Sequence, residues 1–118
     1  RVRMNTVVFP TFNGPLRGLS LDAFKSKLRE MLADRVHSVW LYGSVARGEA
    51  KPDSDIDLFI VADTSLPFHE RGSLFDDLRD FNASIEPLVY TPAEWQRLTS
   101  DPTVGFWQSA VREMVKLV

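Results

Sequence analysis

Residues 55–62 read DIDLFIVA, an acidic start followed by an unbroken apolar run, and this is the strongest strand in the chain. Side chains two apart on a strand share a face, with Cα atoms about 6.5–7 Å apart. Asp55 and Asp57 would therefore project together from one end of that strand. Two carboxylates so placed repel each other and take up protons more readily unless a cation stands between them. A solvated strand end and a divalent-metal site both fit that pattern.

A second strand candidate, Ser38 to Tyr42 (SVWLY), stops at Gly43. Gly43 to about Gly48 reads as a tight turn feeding a short helix. About a dozen residues separate the two strands, the lower limit for a parallel crossover, so an antiparallel or mixed sheet is expected. At the start of that helix, free backbone N–H groups and the helix dipole favour an anion. Gly43 lets the backbone approach a phosphate, Ser44 adds a hydroxyl donor, and Arg47 stands one turn along. Taken alone, a Gly-Ser pair before a helix is also an ordinary turn and cap.

The rest of the chain supplies cover for these strands. Ser20 is the expected N-cap of a helix to about Val36, with Leu21, Phe24, Leu28, Met31 and Leu32 on one face. A helix is expected from Pro67 to near Phe81, with Leu74, Phe75 and Leu78 facing inward. Ser84 to Thr91 (SIEPLVYT) reads as a third strand, and Pro87 within it points to an edge or irregular position. Thr91-Pro92-Ala93-Glu94 is a helix-start signature. The last helix is expected from about Val104 to Leu117, apolar around so much of its circumference that a partner surface is favoured over pure core. Val7-Val8-Phe9 could be a short strand and Asn13-Gly14-Pro15 a turn. The expectation is one α+β domain over residues 1–118, core about 20–99, with helices flanking a small mixed sheet.

On the third strand, Glu86 sits between the apolar residues Ile85 and Leu88-Val89. It is either outward-facing or aimed into a site, as a third ligand or as the base for an acceptor's proton. A calcium-loop reading of Asp53, Asp55 and Asp57 fails. Leu58 stands where such a loop needs Gly, and Thr64 where it needs Glu. His37 and His69 have no partner at ligand spacing, Trp40 reads as core, and Trp95 as core or groove lining. With no cysteine, thiolate metal sites and disulfides are excluded. The net charge is −2 and the basic residues are scattered rather than striped, which favours a free nucleotide over a nucleic-acid polymer. No run long and apolar enough for a membrane helix is present, and a cytoplasmic location is expected.

The stretch GSVARGEAKPDSDIDLFIV closely resembles the signature of minimal nucleotidyltransferases, members of the DNA polymerase β-like superfamily. The match takes in Ala46-Arg47-Gly48 and Ser54-Asp55 as well as Gly43-Ser44 and Asp55-Ile56-Asp57, and the likeness spans roughly residues 22–98. The third acid of the family is usually Asp, where this chain has Glu86. The resemblance implies a polymerase β-like palm. It also implies Mg²⁺- or Mn²⁺-dependent transfer of a nucleoside monophosphate, with ATP as donor, to an acceptor hydroxyl. Gly43, Ser44, Arg47 and Ser54 would then bind the nucleotide, while Asp55, Asp57 and Glu86 would hold metal and complete the catalytic site. Such proteins resemble the antitoxin half of pairs in which a HEPN-type partner is adenylylated, so a protein partner or a homo-oligomer is expected. A small-molecule acceptor of the antibiotic type and a non-catalytic binding module of the same fold are the alternatives.

Overall fold

The computed structural model describes residues 15–100 and 105–118. The expected strand at Val7-Val8-Phe9, most of the Asn13-Gly14-Pro15 turn and the start of the last helix at Val104 lie outside these residues. Four strands, β1 (Ser38–Tyr42), β2 (Ile56–Val61), β3 (Ile85–Tyr90) and β4 (Val115–Lys116), form one mixed sheet in the order β3-β2-β1-β4. β1 runs antiparallel to β2 and to β4, whereas β2 and β3 are parallel. Helices α1 (Leu21–Leu32), α2 (Ser44–Arg47), α3 (Asp76–Phe81), α4 (Pro92–Ser100) and α5 (Gly105–Glu113) surround it, with a 3₁₀ segment over Phe68–Phe75. The fold is the α+β arrangement expected from the sequence.

The pleat divides the sheet into two faces of different character. Val39, Leu41, Ile56, Leu58, Ile60, Ile85 and Val89 point to one face and are buried with Phe24, Leu28 and Leu32 of α1, Phe75, and Leu78 of α3. This is the aliphatic core. On the other face the register aligns Trp40 with Phe59 and Tyr42 with Asp57. It also aligns Asp57 with Glu86 and Val61 with Tyr90. Rings from α4 and α5 close over the middle of this face: Trp95 and Trp107 pack 5.6 and 5.3 Å from the ring of Phe59.

Three helical expectations are corrected. α1 is capped by Ser20, whose hydroxyl accepts from the Ala23 N–H, but it ends at Leu32 rather than Val36. Residues 33–35 turn instead, held by Arg35, whose backbone N–H bonds Leu32 and whose guanidinium grips Asp77 and the Leu74 carbonyl. Residues 68–75 wind as a 3₁₀ helix before α3 begins. Three residues per turn shift the phase of the apolar side chains, so Leu74 is 41% exposed while Phe75 and Leu78 are buried. The C-terminal helix stops at Glu113, and Val115–Lys116 pairs with β1 as β4. Buried Leu117 donates its N–H to Val39, so the apolar breadth of this segment belongs to two elements, a helix on the aromatic face and a strand that feeds the core. Trp107 packs within the chain, while Phe106 stays half-exposed.

Pro87 lies on the edge strand, as expected. Ile56 and Ala62 donate to the carbonyls of Ser84 and Tyr90, so the even-numbered residues of β3 bond to β2 and the odd-numbered ones face outward. The N–H that Pro87 lacks would have pointed away from the sheet. Among the described residues, no helix is long and apolar enough to cross a membrane.

Candidate active site

The site is built where β1 ends, β2 begins and β3 runs alongside. β1 stops at Gly43, whose φ of 87° and ψ of −156° suit glycine. The close approach is the stronger constraint. A Cβ on Gly43 would lie 2.5 Å from Oδ2 of Asp57, so the backbone of the turn rests directly against that carboxylate. α2 follows as a single turn. Its first bond is Arg47 N–H to Gly43 carbonyl, and Gly48 closes it in the left-handed region. The N–H groups of Ser44, Val45 and Ala46 therefore have no acceptor within the helix.

Asp57 is half-buried, and its carboxyl is held above the usual carboxylate range. Burial is the main cause, followed by the charges of Asp55 and Glu86, with Arg47 partly opposing them. That pattern places Asp55, Asp57 and Glu86 in one electrostatic neighbourhood. Asp55 is exposed and stands just before β2 rather than on it. Glu86 is opposite Asp57 in the parallel register and thus shares its face. Its carboxylate is also 3.9 Å from the guanidinium of Arg79 on α3. Among the described residues, no three acidic, histidine or cysteine side chains are close enough to form a ready-made metal cage.

The other residues singled out in the sequence have local partners. Arg47 donates to Glu49 at 3.0 Å and to Glu113 at the end of α5 at 3.3 Å. Both carboxylates push its pKa upward. The Ser54 hydroxyl accepts from the Lys51 N–H and, with the Ser54 N–H to Lys51 carbonyl bond, fixes the turn that delivers Asp55. His37 and His69 are exposed and sit against Asp63 and Glu70, apart from the acids. Sequence reasoning missed Arg79 and Glu113. Neither lies in a recognisable motif, and each comes to the site only through tertiary packing.

Beside Glu86, a groove of about 360 Å³ opens along the outer edge of β3, walled on its far side by the 3₁₀ segment. That segment is fastened by Arg71, almost fully buried, which donates to the carbonyls of Leu66 and Val89 and to both oxygens of Glu94. Glu94 simultaneously accepts from the Thr91 N–H, and the Thr91 hydroxyl accepts from the Glu94 N–H, a complete capping box for α4.

The family model described as Nucleotidyltransferase domain matches residues 21–108. A Methanocaldococcus jannaschii protein bearing the name protein adenylyltransferase is 28% identical over 91 residues. The alignment takes in 71% of this chain and 61% of that relative, so the chain spans about three fifths of the relative's length. Haemophilus influenzae MntA, which also bears the name protein adenylyltransferase, is 29% identical over 86 residues, covering 73% of this chain and 71% of MntA. The crystal structure of a toxin–antitoxin with AMP-PNP superposes with a TM-score of 0.51 at 19% identity, over 80% of this chain and 72% of that one. That last likeness is one of fold.

Proposed function

The chain belongs to the nucleotidyltransferase domain family, and from that premise we propose that it transfers AMP from ATP to a hydroxyl on a partner protein. The observation that carries this reading is the contact of the Gly43 turn with Asp57. A turn with free backbone N–H groups and an under-neutralised acidic cluster share one surface. Both relatives bear the name protein adenylyltransferase, and the toxin–antitoxin structure is a fold neighbour, which supports a protein acceptor, with a HEPN-type partner as the expected one.

The first-turn N–H groups of α2 and the Ser44 hydroxyl would bind the terminal phosphates, as anions bind helix starts. Arg47 would supply a guanidinium on exchanging Glu49 or Glu113 for a phosphate oxygen. Ser54 would act by holding the turn before Asp55. The acceptor oxygen bonds to the α-phosphorus as the bond to the bridging oxygen breaks. Pyrophosphate leaves toward Gly43-Ser44, and the acceptor's proton passes to Glu86.

The oxygen donors present fit Mg²⁺ or Mn²⁺. Mg²⁺ typically takes one or two carboxylates together with substrate phosphates rather than an all-protein cage, which agrees with acids gathered but not closed. Asp55, Asp57 and Glu86 would hold the ion, which would neutralise charge on the transferring phosphoryl group. Incubation with labelled ATP, Mg²⁺ and the product of the adjacent gene, followed by intact-mass analysis, tests the reading. A mass gain of one or more AMP units on that product is expected. ATP turnover with no label on it would rule out that partner as the acceptor.

A further inference from the structure

We infer that the groove on the outer edge of β3 is the acceptor subsite, and that it takes one residue of an extended peptide by its main chain. This rests on the transfer reading above and deepens it. In-line displacement requires the attacking hydroxyl to arrive opposite the leaving pyrophosphate. Across the sheet the order is Gly43 at the end of β1, Asp57 on β2 and Glu86 on β3. With pyrophosphate leaving toward Gly43, the acceptor must come from the β3 side, where the groove lies and where Glu86 forms part of its wall.

The edge itself specifies the ligand. Ile85, Pro87 and Val89 turn their main-chain polar groups outward. Among the described residues the Pro87 carbonyl and the Val89 N–H carry no hydrogen bond, while the Val89 carbonyl is taken by Arg71. In a parallel ladder these two free groups bind the N–H and carbonyl of one residue, the one opposite Leu88. Pairing weakens in both directions: opposite Glu86 only the Ile85 carbonyl can take part, because Pro87 has no N–H to offer, and beyond Leu88 Arg71 occupies the Val89 carbonyl. A residue in register with Leu88 places its side chain on the face that Leu88 shares with Glu86 and Asp57. Its hydroxyl is thereby directed to the acids. A DNA backbone, without a 2′-hydroxyl, offers acceptors but no donor to meet this pair. The volume, about 360 Å³, is within the range of small-ligand sites.

Gly72 makes the idea testable. It lines the groove, and a Cβ there would meet nothing within 4 Å. Gly72→Trp should plug the groove without strain, and Gly72→Leu provides a smaller plug should the first variant misfold. The probes are the N-acetyl, N-methylamide derivatives of serine, threonine and tyrosine, with ethanol and p-cresol as hydroxyls lacking peptide groups. With Mg²⁺ and ATP, at least one amide should be adenylylated about tenfold or more faster than its simple alcohol or phenol. The plug variants should lose that transfer at least tenfold while binding Mg²⁺–ATP within about twofold of the unmodified chain. Equal rates for amide and simple hydroxyl would overturn the assignment. So would unimpaired transfer by a folded plug variant, or no transfer to any amide by a chain that binds Mg²⁺–ATP. Failure of the unmodified chain to bind Mg²⁺–ATP would instead overturn the transfer reading.

Discussion

The structure contains two carboxylate sites that are treated in opposite ways. Glu94 meets the almost fully buried guanidinium of Arg71 at 2.6 Å, and that contact, with the Thr91 N–H, draws its pKa down to about 2. Asp57 has two other acids for neighbours and only Arg47, itself shared by Glu49 and Glu113, to oppose them, and its pKa is raised. The first arrangement is complete within the chain: it ties the 3₁₀ segment, β3 and α4 together. The second is unfinished within the chain, a cluster of negative charge laid against the Gly43 turn, which in the proposed reading is completed by metal and nucleotide. The difference separates an acid that serves the fold from one that the proposed reading gives to the chemistry.

Substituting the unfinished site gives the largest expected effect. Asp57→Asn should lower transfer by about 1000-fold or more, roughly 4 kcal/mol of lost transition-state stabilisation. Its melting temperature should hold or rise, because the change removes a charge that burial and its neighbours disfavour. Rate assays and thermal melts on the same sample check both halves. A large loss of stability would erase the contrast between the two sites.

Glu94→Ala should do the reverse. It leaves Arg71 buried without its counter-charge, at a cost of about 3 kcal/mol in denaturant unfolding. The pH dependence follows from the sign of the shift. A carboxyl lowered in the folded state from 4.5 to about 2 contributes stability that is present above the ordinary value and lost as pH falls toward 2. The stability gap between the native chain and Glu94→Ala should therefore be widest above pH 5 and narrow progressively below 4.5. A gap independent of pH would show that the ion pair is not its source.

Ser44→Ala is expected to be the mildest, about 10- to 100-fold in transfer, since the backbone donors of the first turn remain. A loss exceeding that of Asp57→Asn would reverse the order of importance assigned to the phosphate turn and the acids.

Local signals made much of this molecule legible. Alternating or continuous apolar runs between Gly and Pro gave β1, β2 and β3 to within a residue or two. The caps at Ser20 and Thr91 formed as their side-chain chemistry requires. The Gly43 turn and the acids of 55–57 were visible because the signature that the chain resembles sets those residue types at that spacing. What escaped was settled by tertiary contact. The 3₁₀ winding of 68–75 and the helix-to-strand change after Glu113 depend on surfaces contributed by distant segments. Arg71, Arg79 and Glu113 each find a partner at least seven residues away in sequence, where no periodicity reaches. The groove along β3 is likewise a property of two segments packed together.

Titration calorimetry with ATP, in Mg²⁺ and again in EDTA, tests the central claim most directly. If Asp55, Asp57 and Glu86 await a cation that bridges them to the triphosphate, binding is readily measured with Mg²⁺ and far weaker once the metal is chelated, because the bare carboxylates repel the phosphates. Equal affinity in the two conditions would contradict the account.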